Sequence, residues 1–389
     1  MNAFASKLRQ FFVSLKLTVT LLVLGMVLVF WATLAQVDLG VWGVQERFFH
    51  CFIVTERIPG TPLWAPFPGG YLIGTMLLVN LIIAHIDRFK FTARKIGIQL
   101  THAGVILLLL GELLSGLWQE SYTMQIGLGD SLNYSEHQRD FELAIIDTTS
   151  PDVDEVVAIP AELLEEGKTV QHPKLPFRVV PKRYLPNAAL ASRDEKAGGP
   201  PSEATTGTGP GVAVTPLPIT YNDKEVNLPA AYVELTGASG SLGTWLVSPE
   251  LARPQTFTAE GKTWKLVLRR ERAYKPFKIT LLDVKHDVYP GTDTPKNFSS
   301  RIRLETPGSA ENREVLIYMN HPLRYSGLTF YQYQMNAPAK YTVLQVVRNP
   351  SWVLPYVSCI MISAGLIWQF GAHLLGFFKK RRTLAPAVA

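Results

Sequence analysis

The stretch Ile98–Trp118, read with Ile96 and Gly97 before it as IGIQLTHAGVILLLLGELLSGLW, constrains this chain more than any other. About 20 apolar residues cross the hydrocarbon core of a bilayer as a helix, and this run is long enough to do so. It carries His102 near one end and Glu112 near the other. An ionisable side chain inside a span is costly and normally meets a partner, so both are candidate functional residues. Basic residues precede the span and a long polar region follows it.

Of the 389 residues, 47% are hydrophobic and only 18% charged. That is too apolar for an ordinary soluble protein and too polar for one that is all membrane. The net charge of +6 would suit a nucleic-acid partner if it lay on one surface, but it does not. Segments 1–16, 87–95 and 379–389 hold 11 of the 38 basic residues and one of the 32 acidic ones, leaving 27 against 31 elsewhere. Charge placed beside apolar runs sets membrane orientation, with the basic side in the cytoplasm. Nucleic acid is therefore not an expected partner. Cys51 and Cys359 form neither a C-x-x-C pair nor a zinc set, and Cys359, in an apolar run, reads as an inert buried thiol. The first apolar run ends in TLAQVDLG with no small-residue cleavage site, so it reads as a retained anchor.

These features predict a membrane protein of mixed α and β, with four transmembrane helices, three N-terminal and one C-terminal. The membrane domain is residues 1–118, with spans about 17–35, 70–86 and 98–118. A large β-rich extracytoplasmic domain, residues 119–351, is inserted between helices 3 and 4. A transmembrane helix over 352–378 and a basic cytoplasmic tail, 379–389, complete the chain, both termini being cytoplasmic. Residues 36–69 read as a loop with an aromatic patch and a short interfacial helix over Val44–Val54. In the β region, alternating or β-branched runs recur between turn signals at Phe141–Ile146, Tyr232–Leu235, Trp264–Leu268, Ile279–Val284, Ile302–Leu304, Val315–Tyr318 and Thr342–Val347. They predict an antiparallel sandwich or barrel-like domain. Residues 191–211, ASRDEKAGGPPSEATTGTGPG, read as a flexible insertion that buries nothing and separates two lobes.

Three of the eight histidines, His85, His102 and His373, fall in the spans near their cytoplasmic ends. A neutral imidazole is a good axial ligand for haem iron, and histidines from facing helices hold b-type haems. His85, beside Asp87 and Arg88, reads as an interface residue ahead of a ligand, and His373 is open between the two readings. His102 precedes the small residues Ala103, Gly104 and Gly111, which bring another helix close; it is the favoured ligand. Glu112 is about 15 Å of helix rise from His102, too far to share one small site; pairing across helices, accepting a proton and reaching the headgroups as a solvated end residue are all open to it, the last being favoured. Beyond the spans no G-x-S-x-G, H-E-x-x-H or phosphate-binding glycine loop occurs. His286 and His321 are the notable external histidines; His321, before Pro322, reads as a turn histidine, and Tyr325, Phe330, Tyr331 and Tyr333 read as core and cross-strand packing.

Four stretches, FFVSLKLTVTLLVL, LTHAGVILLLLGELLSGLW, DVYPGTDTPKNFSSRIRL and MNHPLRYSGLTFYQ, together with their order, resemble ResB, a component of the bacterial System II pathway of cytochrome c maturation. The resemblance covers essentially the whole chain. It implies a membrane partner of the CcsA or ResC type, with which haem b is moved outward and attached to apocytochrome c. It also implies that His102 is an axial ligand to that haem iron, the opposite ligand coming from the partner. The partner's tryptophan-rich external segment has no counterpart here, so the chain is expected to be a non-catalytic subunit of a haem lyase. Two other readings stay open. One is a binding module for apocytochrome or a thioredoxin-like reductant; the other is a free-standing b-type electron carrier using His85 and His102.

Overall fold

The computed structural model describes residues 3–57, 64, 66–89, 92, 95–150, 153–193, 202–221, 225–238, 240–251, 253–292, 295–308, 312–336, 338 and 340–384. They form two compact units, one of residues 1–120, 221–223 and 348–389, the other of residues 121–220 and 224–347.

The first unit is helical. Four of its helices are long and apolar enough to cross a membrane, which makes this a membrane protein. α1 (Ala3–Phe12) is a short amphipathic helix that the sequence reading left as a basic segment. α2 (Leu15–Val44) runs well beyond the expected end at residue 35. A few polar residues such as Gln36 and Asp38 do not stop a helix. Gly40, at φ 69°, supplies the break instead, in a region that costs glycine nothing. The chain then turns through Gln45–Phe49 into a hairpin of β1 (Ile53–Val54) and β2 (Phe67–Pro68). α3 (Gly70–Arg88) and α4 (Ile96–Trp118) follow.

Asn80, inside α3, is 2% exposed and explains the α1–α2 break. It accepts from the Thr18 hydroxyl at 2.7 Å and donates to the carbonyls of Phe12 at 2.5 Å and Ser14 at 3.4 Å. A buried amide in an apolar span is tolerated because its polar atoms are paired. Arg9 of α1 meets Asp87, and Arg88 donates to the Val13 carbonyl at 3.2 Å.

The β region lies in chain order between α4 and the last helix, with one short helix inside it. Its strands are β3 (Glu120–Gly127), β4 (Ser131–Asp147), β5 (Glu155–Pro160), then α5 (Ala161–Glu165), β6 (Phe177–Leu185), β7 (Ala188–Ser192), β8 (Val212–Pro216), β9 (Ala230–Gly237), β10 (Gly240–Val247), β11 (Gln255–Ala259), β12 (Lys262–Val288), β13 (Pro295–Glu305), β14 (Asn312–Tyr318), β15 (Leu323–Tyr325), β16 (Leu328–Asn336) and β17 (Tyr341–Arg348). Each run expected to be a strand is one. Ten strands form one sheet in the order β14-β13-β12-β4-β3-β17-β16-β15, with β5 on β4 and β11 on β12. A second sheet is β10-β9-β6, and β7 pairs β8.

Two cores result. Leu143, Ile145, Phe177, Val233, Trp245 and Trp264 fill one; Ile126, Phe277, Ile279, Ile302, Phe330 and Val346 fill the other. The 27-residue strand β12 feeds both, shifting register against β4 between Tyr274 and Ile279. The lobes are thus joined by continuous strands, not by a linker at 191–211. That stretch also departs from expectation. Ala191 and Ser192 close β7, Ala204 is 4% exposed, and Thr208 donates through N and Oγ1 to Gln255 Oε1 at 3.0 and 3.2 Å. Small residues pack well once a neighbouring strand satisfies their backbone. Residues 194–201 lie outside the described residues.

The last helix, α6 (Leu354–Leu384), packs along α4. The fully buried residues of α4 are Gly97, Gly104 and Gly111, spaced by seven. A Cβ at Gly97 would meet the Gly365 carbonyl at 2.7 Å; at Gly104 it would meet the Ser358 carbonyl at 3.0 Å; at Gly111, the Leu354 Cβ at 3.1 Å. The seam is therefore nearly backbone against backbone, the close approach that small residues permit in membranes. Ser115 Oγ and Ser351 Oγ, 2.9 Å apart, close one end. Cys359, expected to be buried, lies on the exposed side of α6.

Two outcomes follow from this packing. Gly104→Leu should destabilise the helical unit by about 1–3 kcal/mol, the usual cost of overfilling a tight contact, seen as a lower unfolding midpoint in detergent; Leu108→Ala, on an exposed position, should not. In the β region Lys275 is 9% exposed, donates to Ser135 Oγ at 2.7 Å and Ala273 O at 3.1 Å, and burial pushes its ammonium down to about 8 from the ordinary 10.5. The folded state thus holds this proton less tightly than the unfolded chain. Stability should rise as pH passes from about 8 to 10.5, and Lys275→Met should remove that rise. Thermal melting of both proteins across this pH range checks it.

Candidate functional site

α3 and α4 follow one another in the chain, and the last turn of α3 lies beside the second turn of α4, with His85 beside His102. Their ring centroids are 6.2 Å apart with planes tilted by 34°. Sequence spacing alone does not reveal this pairing, because it depends on how each helix is rotated about its axis.

The glycine seam fixes the rotation of α4. At roughly 100° per residue, His102 lies about 140–160° around the helix from Gly97 and Gly104. It therefore points away from α6 and is exposed. Its Nδ1 lies 2.8 Å from the Ile98 carbonyl. A carbonyl only accepts, so Nδ1 carries the proton and donates. That bond fixes the tautomer and leaves Nε2 with its lone pair, the arrangement seen in metal-bound histidines whose other nitrogen is held by a carbonyl. Among the described residues Nε2 has no hydrogen-bond partner.

His85 packs edge-on against Phe89, centroids 5.7 Å apart. It lines a cavity of about 200 Å³ whose walls include Phe89, Ile96, Leu100 and Ala103. Ligand pockets usually run from about 300 Å³ upward. A porphyrin cannot be enclosed here, so any such group would lie mainly on the exposed face of α4.

His373, on α6, stands apart from this pair in its bonding. Its Nε2 lies 2.7 Å from the Gln369 side-chain amide nitrogen, so the nitrogen that would ligate is already engaged as an acceptor. His286 stacks on Phe298 at 4.6 Å and His321 on Tyr318 at 4.0 Å, each next to a strand turn. Glu112 is exposed on α4. His50 drew no sequence argument, yet its ring stacks on Tyr71 at 5.5 Å. Among the described residues no group of three or more His, Cys, Asp and Glu side chains gathers as a metal cage.

The profile of the ResB-like family covers residues 88–338, well over half of the sequence. The chain belongs to the ResB-like family. The matched stretch contains His102, Glu112, His286 and His321, and stops short of His85 and His373. Among family relatives, Protein NrfI of Wolinella succinogenes is 29% identical over 94 residues, 24% of this chain and 10% of that protein. The cytochrome c biogenesis protein CcsB of Prochlorococcus marinus is 30% identical over 103 residues, 26% of this chain and 23% of that protein. The same figures hold for CcsB of a second strain. The chain thus spans between a tenth and a quarter of the length of these relatives.

Proposed function

We propose that this chain is a subunit of the System II cytochrome c maturation complex in the bacterial cytoplasmic membrane. It works beside a CcsA or ResC-type membrane protein to carry haem b outward and present it for attachment to apocytochrome c. The family membership and the word biogenesis in the name of its CcsB relatives support the pathway. The observation that carries the residue-level reading is His102, exposed on α4 with Nδ1 tied to Ile98 and Nε2 left free.

In this reading haem is cargo. His102 Nε2 offers its iron one axial ligand, and the Ile98 carbonyl keeps that nitrogen deprotonated and aimed. The cavity beside His85 is too small to wrap the ring, so the remaining surface and the second ligand come from the partner. The chain alone is then a positioning subunit of a haem lyase rather than the complete enzyme. His373, its Nε2 engaged, is the weaker of the candidates. Both basic termini lie in the cytoplasm and the β region lies outside, where apocytochrome and a thioredoxin-like reductant are met.

A second reading has one observation in its favour. His85 and His102, their ring centroids 6.2 Å apart, are the residues that would hold a resident haem, which would supply one-electron transfer. That would make the chain a b-type electron carrier. Haem in the purified chain without its partner supports the carrier; haem only in the complex supports the transport subunit.

His102→Ala should leave insertion and partner assembly near normal while lowering haem in the complex and holocytochrome c yield by about tenfold or more. Losing even an outer-shell partner of a metal ligand costs that much. Added imidazole should partly restore both. Unchanged haem content and absorption spectrum in the variant would remove His102 from the site. For topology, a reporter active only outside the cytoplasm should work when fused after Trp118 and fail after Arg94 or Ala389; activity after Arg94 would reverse the assignment.

A further inference from the structure

About ten residues along α4 from His102, the ends of α2, α3 and α4 enclose a second and larger pocket of about 440 Å³. That volume is within the range of small-molecule sites. Its floor is apolar, with Leu78, Leu109 and Leu113. Its polar wall is His50, Tyr71 and Glu112, with Gln36 and Gln45.

Three of these groups have unused hydrogen-bonding capacity. His50 Nδ1 is 3.0 Å from the Glu46 carboxylate and its ring stacks on Tyr71 with planes 13° apart. The carboxylate makes Nδ1 the donor, so the oriented ring keeps Nε2 as an acceptor. The Tyr71 hydroxyl would lie 3.5 Å from a Cβ placed on Gly116, one turn beyond Glu112. Neither that hydroxyl nor the Glu112 carboxyl has a hydrogen-bond partner among the described residues. Buried or membrane-facing polar groups are normally paired. Here they converge on one pocket.

Charge selects the ligand class. Among the described residues no Lys or Arg lines the pocket, and Glu112 does. A phospholipid phosphate or the propionates of haem would meet a carboxylate with no counter-ion. A neutral, flat, lipid-soluble ring with oxygens on opposite sides fits instead. It can stack beside Tyr71, donate hydroxyls to His50 Nε2 and Glu112, or accept from Tyr71 in its oxidised form. We propose that this pocket binds the head ring of a membrane quinol or quinone. The proposal rests on the pocket alone and stands whether or not His102 ligates haem.

The test uses the full chain in phosphatidylethanolamine–phosphatidylglycerol nanodiscs and a short-tailed azidoquinone, with adducts mapped by peptide mass spectrometry. Adducts should fall in peptides carrying His50, Tyr71 or Leu109–Gly116. Excess decylubiquinone should displace them and short-chain phosphatidylglycerol should not. Nothing lies within 4 Å of a Cβ at Gly74, which lines the pocket, so Gly74→Leu projects into free space. It should cut labelling about tenfold, equivalent to a loss of roughly 1.4 kcal/mol, at an unchanged melting temperature. If Gly74→Leu does not fold, the double variant His50→Ala, Glu112→Gln carries the test and should lose most of the label. Labelling spread over all spans, labelling unchanged in the folded variant, or equal displacement by the phospholipid would each overturn the proposal.

Discussion

The near-contact of two helix backbones along Gly97, Gly104 and Gly111 is the constraint on which the helical unit depends. Lipid tails are as apolar as leucine, so hydrophobicity gives two spans no reason to associate. What remains is close packing, and α4 achieves it by placing glycine at Gly97, Gly104 and Gly111, where the backbone of α6 comes closest, with Thr101 beside Gly365 between them. A single seven-residue spacing thus decides where His102 and Glu112 can point.

The consequence is a division of labour along one helix. Near its start, His102 stands on the open side with one nitrogen fixed by Ile98 and the other free, and His85 on α3 is drawn up to it. Farther along, Glu112 opens onto the large pocket with His50 and Tyr71. Neither position is enclosed by this chain alone in the way a soluble enzyme's cleft would be. Asn80 and the Arg9–Asp87 pair hold the basic end of α1 against α3, which keeps the partner of α4 in place.

Much of this was legible in the sequence, and the failures have physical causes. The spans announce themselves because hydrocarbon demands continuous apolarity, and the strands do so through alternation such as that of Ile279–Val284. The end of α2 was misplaced because Gln36 and Asp38 are polar without being helix breakers, whereas Gly40 alters the backbone itself. Residues 191–211 read as a flexible insertion because their small and polar residues offer little apolar area; in the described part Thr205 and Thr206 donate backbone N–H to the Thr244 carbonyl and Thr208 donates to Gln255. Glu112 reads from sequence as an end residue, since no linear pattern connects it to His50, some sixty positions earlier. The sequence names His85 and His102 together in the electron-carrier reading, but the closeness of their rings depends on the rotation of each helix.

The central claim is that His102 of this chain bonds to haem iron in the assembled complex. The most direct measurement is hyperfine spectroscopy of the ferric complex, with histidine carrying heavy nitrogen in this chain only and its partner unlabelled. The account predicts one strongly coupled heavy nitrogen at the iron, absent when the labelled chain is His102→Ala. Coupling to light nitrogen alone in the unsubstituted complex would contradict it.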